Sequence, residues 1–249
     1  MLAYLALRLA AIEALTGATI AGDRLYDSRQ FPLDGIDSLD TGPSLCVYTE
    51  EGRGRPYGSA RTDPAETHVW LVIEAVVLVA GSLDVTGPDG NPQTIDGATT
   101  AIPDRDHEAM VDLLVSQVRR RLSIGGAVDY DDAATLFRAA RVGIDESEDM
   151  PQRTTDKAVR LAGRTLRFRA KVHCDAWPAA GTVPASALPE PLASLAPRFV
   201  LPSSLDVLAT VSASVHPPGA LPAALTGIDM TIGLGRPPPT PPDLHAPVP

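Results

Sequence analysis

Hydrophobic spacing changes several times along this chain, and each change marks an element. In residues 2–16, Leu2, Leu5, Leu9, Ile12 and Leu15 recur at helical spacing, with Arg8 and Glu13 off the stripe. Gly17 supplies a helix stop, because glycine tolerates the left-handed conformation there. A short strand is expected over 24–29 and a second over 44–50 ("SLCVYTE"). The longest apolar run is "HVWLVIEAVVLVAG" at 68–81. Its odd positions are all apolar, and its even positions, Trp70, Val72, Glu74, Val76 and Leu78, are mostly so. A strand with one solvated face shows polar residues at every second position, so this one is expected to be covered on both sides. The helices of the domain supply one cover; a neighbouring subunit or the C-terminal region of the same chain supplies the other.

Downstream, 83–96 reads as a hairpin around Gly-Pro-Asp-Gly. The segment 104–122 is a helix with Val111, Leu114, Val115, Val118 and Leu122 inward. Its acids lie at the start and Arg119, Arg120 and Arg121 at the end, the order a helix dipole favours. A shorter helix is expected over 131–144, followed by an acidic loop "DESEDMP". Residues 163–174 alternate: Leu166, Phe168, Ala170 and Val172 point one way, Thr165, Arg167, Arg169, Lys171 and His173 the other. Beyond them lie a Pro/Ala-rich stretch, a short helix at 190–196, and two alternating runs read as strands, 205–215 and 228–234. The last thirteen residues, 237–249, hold seven prolines and are expected to be extended or disordered. The fold class is thus α+β, a mixed or antiparallel sheet flanked by helices over 1–174, with a strand-containing extension (175–236) and a Pro-rich tail.

Composition narrows the function. The 249 residues carry a net charge of −10, which argues against coating nucleic acid, since phosphate neutralisation needs clustered Lys and Arg. It suits a conduit through which nucleic acid slides. Cys46 and Cys174 have neither disulfide-framework nor metal-ligand spacing. The N-terminal segment lacks the basic leading region of a secretion signal and is expected to be a mature helix. The 69–80 run is too short to span a bilayer as a helix and carries Glu74.

Candidate chemistry is sparse. Asp104, Asp106, His107 and Glu108 sit at a helix start, where acids cap rather than ligate. The carboxylates of "DYDD" (129–132) are expected to cap the next helix. Ser28 has no nucleophile elbow and no local His. "GRGRPYG" (52–58), expected to be a turn or loop, lacks the Lys and Ser/Thr of a phosphate-cradling loop. No catalytic, cofactor or metal residues are assigned. The distinctive feature is basic: Arg153, Lys157, Arg160, Arg164, Arg167, Arg169 and Lys171 against the single acid Asp156. As a solvated face this stretch contributes little. As an assembly surface it meets acidic loops 34–40 or 145–149 of a neighbouring copy. The expected subunit-interface residues are Arg164, Arg167, Arg169, Lys171, Glu74, Trp70, Asp27 and Arg29.

The order of helix, short strand ending Asp-Ser-Arg, strand, long apolar strand, loop and helix resembles the tail terminator (tail completion) proteins of long-tailed bacteriophages and gene transfer agents. The likeness is carried by "LRLAAIEALTGATIAGDRLYDSR" (7–29), "SLCVYTEE" (44–51), the strand 68–80 and the helix 107–122. It implies a structural virion protein without enzymatic activity or cofactor, forming a homo-hexameric ring. Such a ring ends polymerisation of the tail-tube protein and joins the head-side connector or adaptor. Genomic DNA passes through its lumen without specific binding, and no membrane is involved. The alternatives are another neck component, such as a head completion protein, and a small enzyme with a loop-built site.

Overall fold

The computed structural model describes residues 1–28, 42–54, 66–79, 82–86, 92–96, 104–124, 131–156, 159–177 and 188–215. Its centre is a five-stranded mixed sheet in the order β1-β2-β3-β7-β6. The strands are β1 (Leu25–Asp27), β2 (Gly42–Gly54), β3 (Glu66–Val79), β6 (Gly143–Asp156) and β7 (Val159–His173). β1 runs parallel to β2 and every other pairing is antiparallel. A separate hairpin, β4 (Ser82–Thr86) with β5 (Pro92–Asp96), falls where the turn signal places it. With helices α1 (Leu2–Leu15), α2 (Asp104–Arg121), α3 (Asp132–Ala139), α4 (Leu192–Leu195) and α5 (Pro202–Ser214), the protein is α+β.

The helix side of the sheet follows the period-2 pattern. Leu45 and Val47 of β2, Val69, Leu71, Ile73, Ala75 and Val77 of β3, and Leu166, Phe168, Ala170 and Val172 of β7 are all buried in one core. Helix α2 lays its expected stripe, Val111, Leu114, Val115, Val118 and Leu122, into that core. Asp131 caps α3, accepting the Ala134 N–H at 2.8 Å. α1 departs from the expected one-sided stripe. Ala3, Ala6, Leu7, Leu9, Ala10, Ala11, Ala14 and Leu15 are all buried, whereas Leu2 and Leu5 are only partly so. The helix lies between the sheet, α3 and α4, and its alanines permit that close approach on several sides. Tyr4 reaches from it across β2 to Thr67, 2.8 Å away. A Cβ at position 52 would overlap the Tyr4 ring, which explains glycine at the β2 bulge.

Three expectations are corrected. "DESEDMP" is the heart of strand β6, paired to β7 along its length. Residues 52–54 belong to β2, the rest of that expected loop lying outside the described residues. The run 205–215 is helix α5, not a strand. Its apolar residues fit both periods, since odd positions alternate while Ser204, Leu208, Val211 and Val215 fall on one helical face. Pro202 at the first helical position, with its φ preset and no N–H needed, favours the helix. The other expected strand (228–234) and the tail (237–249) lie outside the described residues.

Two carboxylates tie α1 to the end of the described chain. Asp175 accepts the N–H groups of Leu2 (2.9 Å) and Ala3 (2.7 Å), capping α1 from 173 residues away. Glu13, placed off the apolar stripe of α1, is only 6 % exposed. It accepts the N–H groups of Val200 (3.0 Å) and Leu201 (2.8 Å) where the chain enters α5. Leu192, Leu195, Phe199 and Leu208 complete the same core.

Asp175→Ala is expected to lower stability by about 1 kcal/mol, the worth of a helix N-cap. Glu13→Ala, which strands two N–H groups, should cost about 1–3 kcal/mol; urea denaturation measures both. The Asp131 carboxyl is held below its ordinary 3.8, chiefly by the Ala134 N–H and, against some desolvation, by Arg121. A depressed folded-state value means stability that is full above the ordinary value and is lost as pH falls through the depressed one. The stability gap between wild type and Asp131→Asn should therefore be widest near neutrality and close on acidification, read as urea midpoints from about pH 6 down to about pH 2.5.

Candidate functional site

The other side of the sheet carries most of the residues expected at an interface. Register places Ser44, Cys46, Tyr48 and Glu50 of β2 beside Val76, Glu74, Val72 and Trp70 of β3. Across β3 these meet Gly163, Thr165, Arg167 and Arg169 of β7, which in turn face Gln152, Met150, Glu148 and Glu146 of β6.

Arg167 organises this face. Its guanidinium meets Glu148 of β6 at 2.9 Å and Glu50 of β2 at 3.2 Å, and lies 4.6 Å from the centre of the Trp70 ring. One side chain therefore links three neighbouring strands with a central one, and Val72 stands in register between Arg167 and Tyr48. Arg169 pairs with Glu146 at 3.7 Å, and Lys171 forms an ion pair with Glu66. His68 meets Asp145 at 2.6 Å. Arg167, Arg169 and Lys171 of β7 thus each meet an acid of the same chain, on β6, β3 or β2. The expectation that 145–149 forms an acidic loop for a neighbour's bases is corrected: those acids lie on the adjacent strand and are engaged in cis. Loop 34–40 and Arg29 lie outside the described residues.

Glu74 sits at the centre of the face, 9 % exposed. Tyr48 donates its hydroxyl to Glu74 Oε1 at 2.8 Å, while Oε2 has no hydrogen-bond partner. Burial first, and the Glu74 bond and charge second, push the Tyr48 phenol above its ordinary 10. Gln152 donates to Thr165 at 2.5 Å nearby. Val72 and Val76 are fully inaccessible and Cys46 nearly so in the single chain. Of the two covers expected for this side, a neighbouring subunit is not needed for these side chains, since they are already out of water in the isolated chain.

Two of the expected residues belong elsewhere. Arg164 has the parity of Leu166 and faces the helices, where it meets Asp112 of α2 at 2.6 Å and Asp149 at 3.4 Å. Asp27 also faces the helices, pairing with Arg8 of α1 at 2.8 Å and accepting the Ser28 hydroxyl. Sequence reading missed Glu50, Tyr48 and Glu13. Glu50 had a signal, lying as a lone acid two residues from Tyr48 on a strand face; the long-range partner of Glu13 had none.

Among the described residues no three His, Cys, Asp or Glu side chains converge to hold a metal ion. His107 is buried in the first turns of α2, and Asp106 pairs only with its neighbour Arg105, at 3.2 Å. No described helix is long and apolar enough to cross a membrane. No protein-family model matches the chain, and no curated protein matches its sequence.

A double-mutant cycle on Arg167→Ala and Glu148→Ala should give a coupling of about 0.2–1 kcal/mol, the range for a cross-strand pair at a partly exposed site. The reversal Arg167→Glu places like charges against Glu148 and Glu50 and should lower the melting temperature of the single chain, measured by calorimetry at low concentration.

Proposed function

We propose that this chain is a structural ring subunit of tail-terminator type at the head–tail junction of a long-tailed bacteriophage or gene transfer agent. In this reading six copies close a ring on the last turn of tail-tube protein, stop its growth, and offer the opposite face to the head-side connector. The genome crosses the lumen without being held, in keeping with the −10 charge of the subunit.

The observation that carries the reading is the inequality of the two sheet edges. On one side stands β6, fourteen residues long, with no further strand beside it among the described residues. On the other, β1 covers only Leu45–Val47 of β2, leaving the outer edge of Tyr48–Gly54 without a described strand beside it. Open edges invite pairing, and the charges and Pro151 of β6 are what proteins use to restrict it to a chosen mate. Contact between two different edges is heterologous, and a heterologous contact that closes gives a ring. The described elements in 7–29, 44–51, 68–80 and 107–122 keep the helix–strand order from which the resemblance was drawn. The ion pairs on the sheet face are satisfied within the subunit, which leaves the edges rather than that face as the joining surfaces.

Native mass measurement of the purified protein, alone and with tail-tube protein, tests the proposal. The expected result is a species at six times 26.1 kDa, alone or on meeting the tube, together with shorter tubes by electron microscopy. A one- or two-chain mass under both conditions, with tube length unchanged, contradicts it.

A further inference from the structure

At the end of the non-helical face where β2 bulges between Glu50 and Gly52, the surface holds a groove of about 330 Å³, within the range of small-molecule sites. Trp70 lines it, with the Arg167 guanidinium 4.6 Å from the ring centre. Register sets Arg169 of β7 beside Trp70 and Arg53 of β2 beside His68, two residues before Trp70 on the same face. All three line the groove with Glu51.

Charge on this wall is balanced within the chain. Arg53 has Glu51 at 3.5 Å, Arg169 has Glu146 at 3.7 Å, and His68 turns its Nε2 to Asp145. Hydrogen bonding is not balanced. A separation of 3.7 Å is an ion pair but too long for a hydrogen bond, and the Arg169 guanidinium, 38 % exposed, makes none to any described residue. Arg53 is 80 % exposed and has only its long contact with Glu51. Two planar sets of N–H donors, both open to solvent, therefore line a groove that also holds an indole ring. An anion entering it would meet Glu51 and Glu146 as well as the two arginines, and a cation would meet guanidinium N–H groups. A neutral ligand rich in hydrogen-bond acceptors disturbs none of the ion pairs.

We infer that this groove binds a neutral saccharide, one sugar ring against Trp70 and its hydroxyls held by Arg53 and Arg169. The negative face of an indole attracts the weakly positive C–H groups on the flat side of a sugar ring. A guanidinium presents its donors in a fixed plane, which suits two adjacent hydroxyl oxygens at once. The hydroxyl hydrogens in turn find acceptors in the Glu51 carboxylate and in His68 Nδ1, since Nε2 is given to Asp145. Ordinary polar ligands supply either donors or acceptors; a polyol supplies both without adding charge. The inference does not rest on the ring reading, because every residue of the groove comes from one chain.

Tryptophan fluorescence of full-length Trp177→Phe protein, in which Trp70 is the one indole left, reads binding in a single chain or a ring alike. The probes are the methyl glycosides of glucose, galactose, mannose and N-acetylglucosamine, with sodium glucuronate and glucosamine hydrochloride as charged controls. At least one neutral glycoside should shift the Trp70 emission saturably and bind more tightly than either control. Arg169→Gln, which breaks no hydrogen bond of the chain, should weaken that binding about tenfold, the loss of one charge-assisted contact, and Arg53→Gln should act in the same direction. Trp70→Leu, followed by saturation-transfer NMR, should abolish it; because Trp70 supports Arg167, the two arginine variants carry the test should this one fail to fold. Absence of saturable binding by all four glycosides, binding indifferent to Arg169→Gln and Arg53→Gln, or tighter binding of either charged control overturns the inference.

Discussion

Strand β7 shows apolar side chains to the helices and cations to the other side, and this division dictates what its outer neighbour has to be. Asp, Glu, Ser and Pro are poor strand formers, yet "DESEDMP" pairs as a strand because Glu148 and Glu146 stand across from Arg167 and Arg169. Asp149 turns to the helix side and meets Arg164 and Arg119 there. Each such pair contributes only about 0.2–1 kcal/mol, but the two on this face stand two residues apart on β6 and, with Asp149 on the other face, favour one register. A shift of one residue would turn Glu146 and Glu148 away from Arg169 and Arg167, and Asp149 away from Arg164. Charge thus does for β6 what apolar alternation does for β3.

The same ladder shapes the surface offered to partners. Arg167 spans from Glu50 to Glu148 over Trp70, so Arg167, Arg169 and Lys171 of the non-helical face are matched within the chain, and Val72 and Val76 are out of water. A partner laid on that face would have to displace ion pairs already made. A partner at the β6 edge would meet backbone with no strand beside it among the described residues, with the acids already committed inward to β7. This is the physical reason for placing assembly at the edges. On the helix side, Asp175 and Glu13 hold the N-terminal helix to residues 175–201, so the extension works as a brace for the sheet's helical layer.

Much of the architecture was legible in the pattern of residues. β3, β7 and α2 announced themselves because their apolar periods are uninterrupted, and both faces of β7 were assigned residue by residue. β6 was not legible, because its stability comes from residues on another strand and local propensity points to a loop. α5 was misread because its apolar residues satisfy a period of two as well as a helical one, and only Pro202 and the contact with Glu13 decide between them. For the candidate interface, the basic residues were found but their partners were not: sequence shows which charges exist, while sheet register decides whether they are spent within the subunit. Arg164 was grouped with Arg167 by proximity in sequence, although parity alone places it on the opposite side.

The claim on which the rest stands is that charge register, rather than intrinsic strand preference, holds β6 in the sheet. Hydrogen exchange followed by mass spectrometry on peptides covering 143–156 and 66–79 tests it directly, comparing low ionic strength with about 1 M salt, where screening acts over about 3 Å. Exchange in 143–156 should accelerate with salt while 66–79 stays protected; equal protection of both segments at every salt concentration would contradict the account.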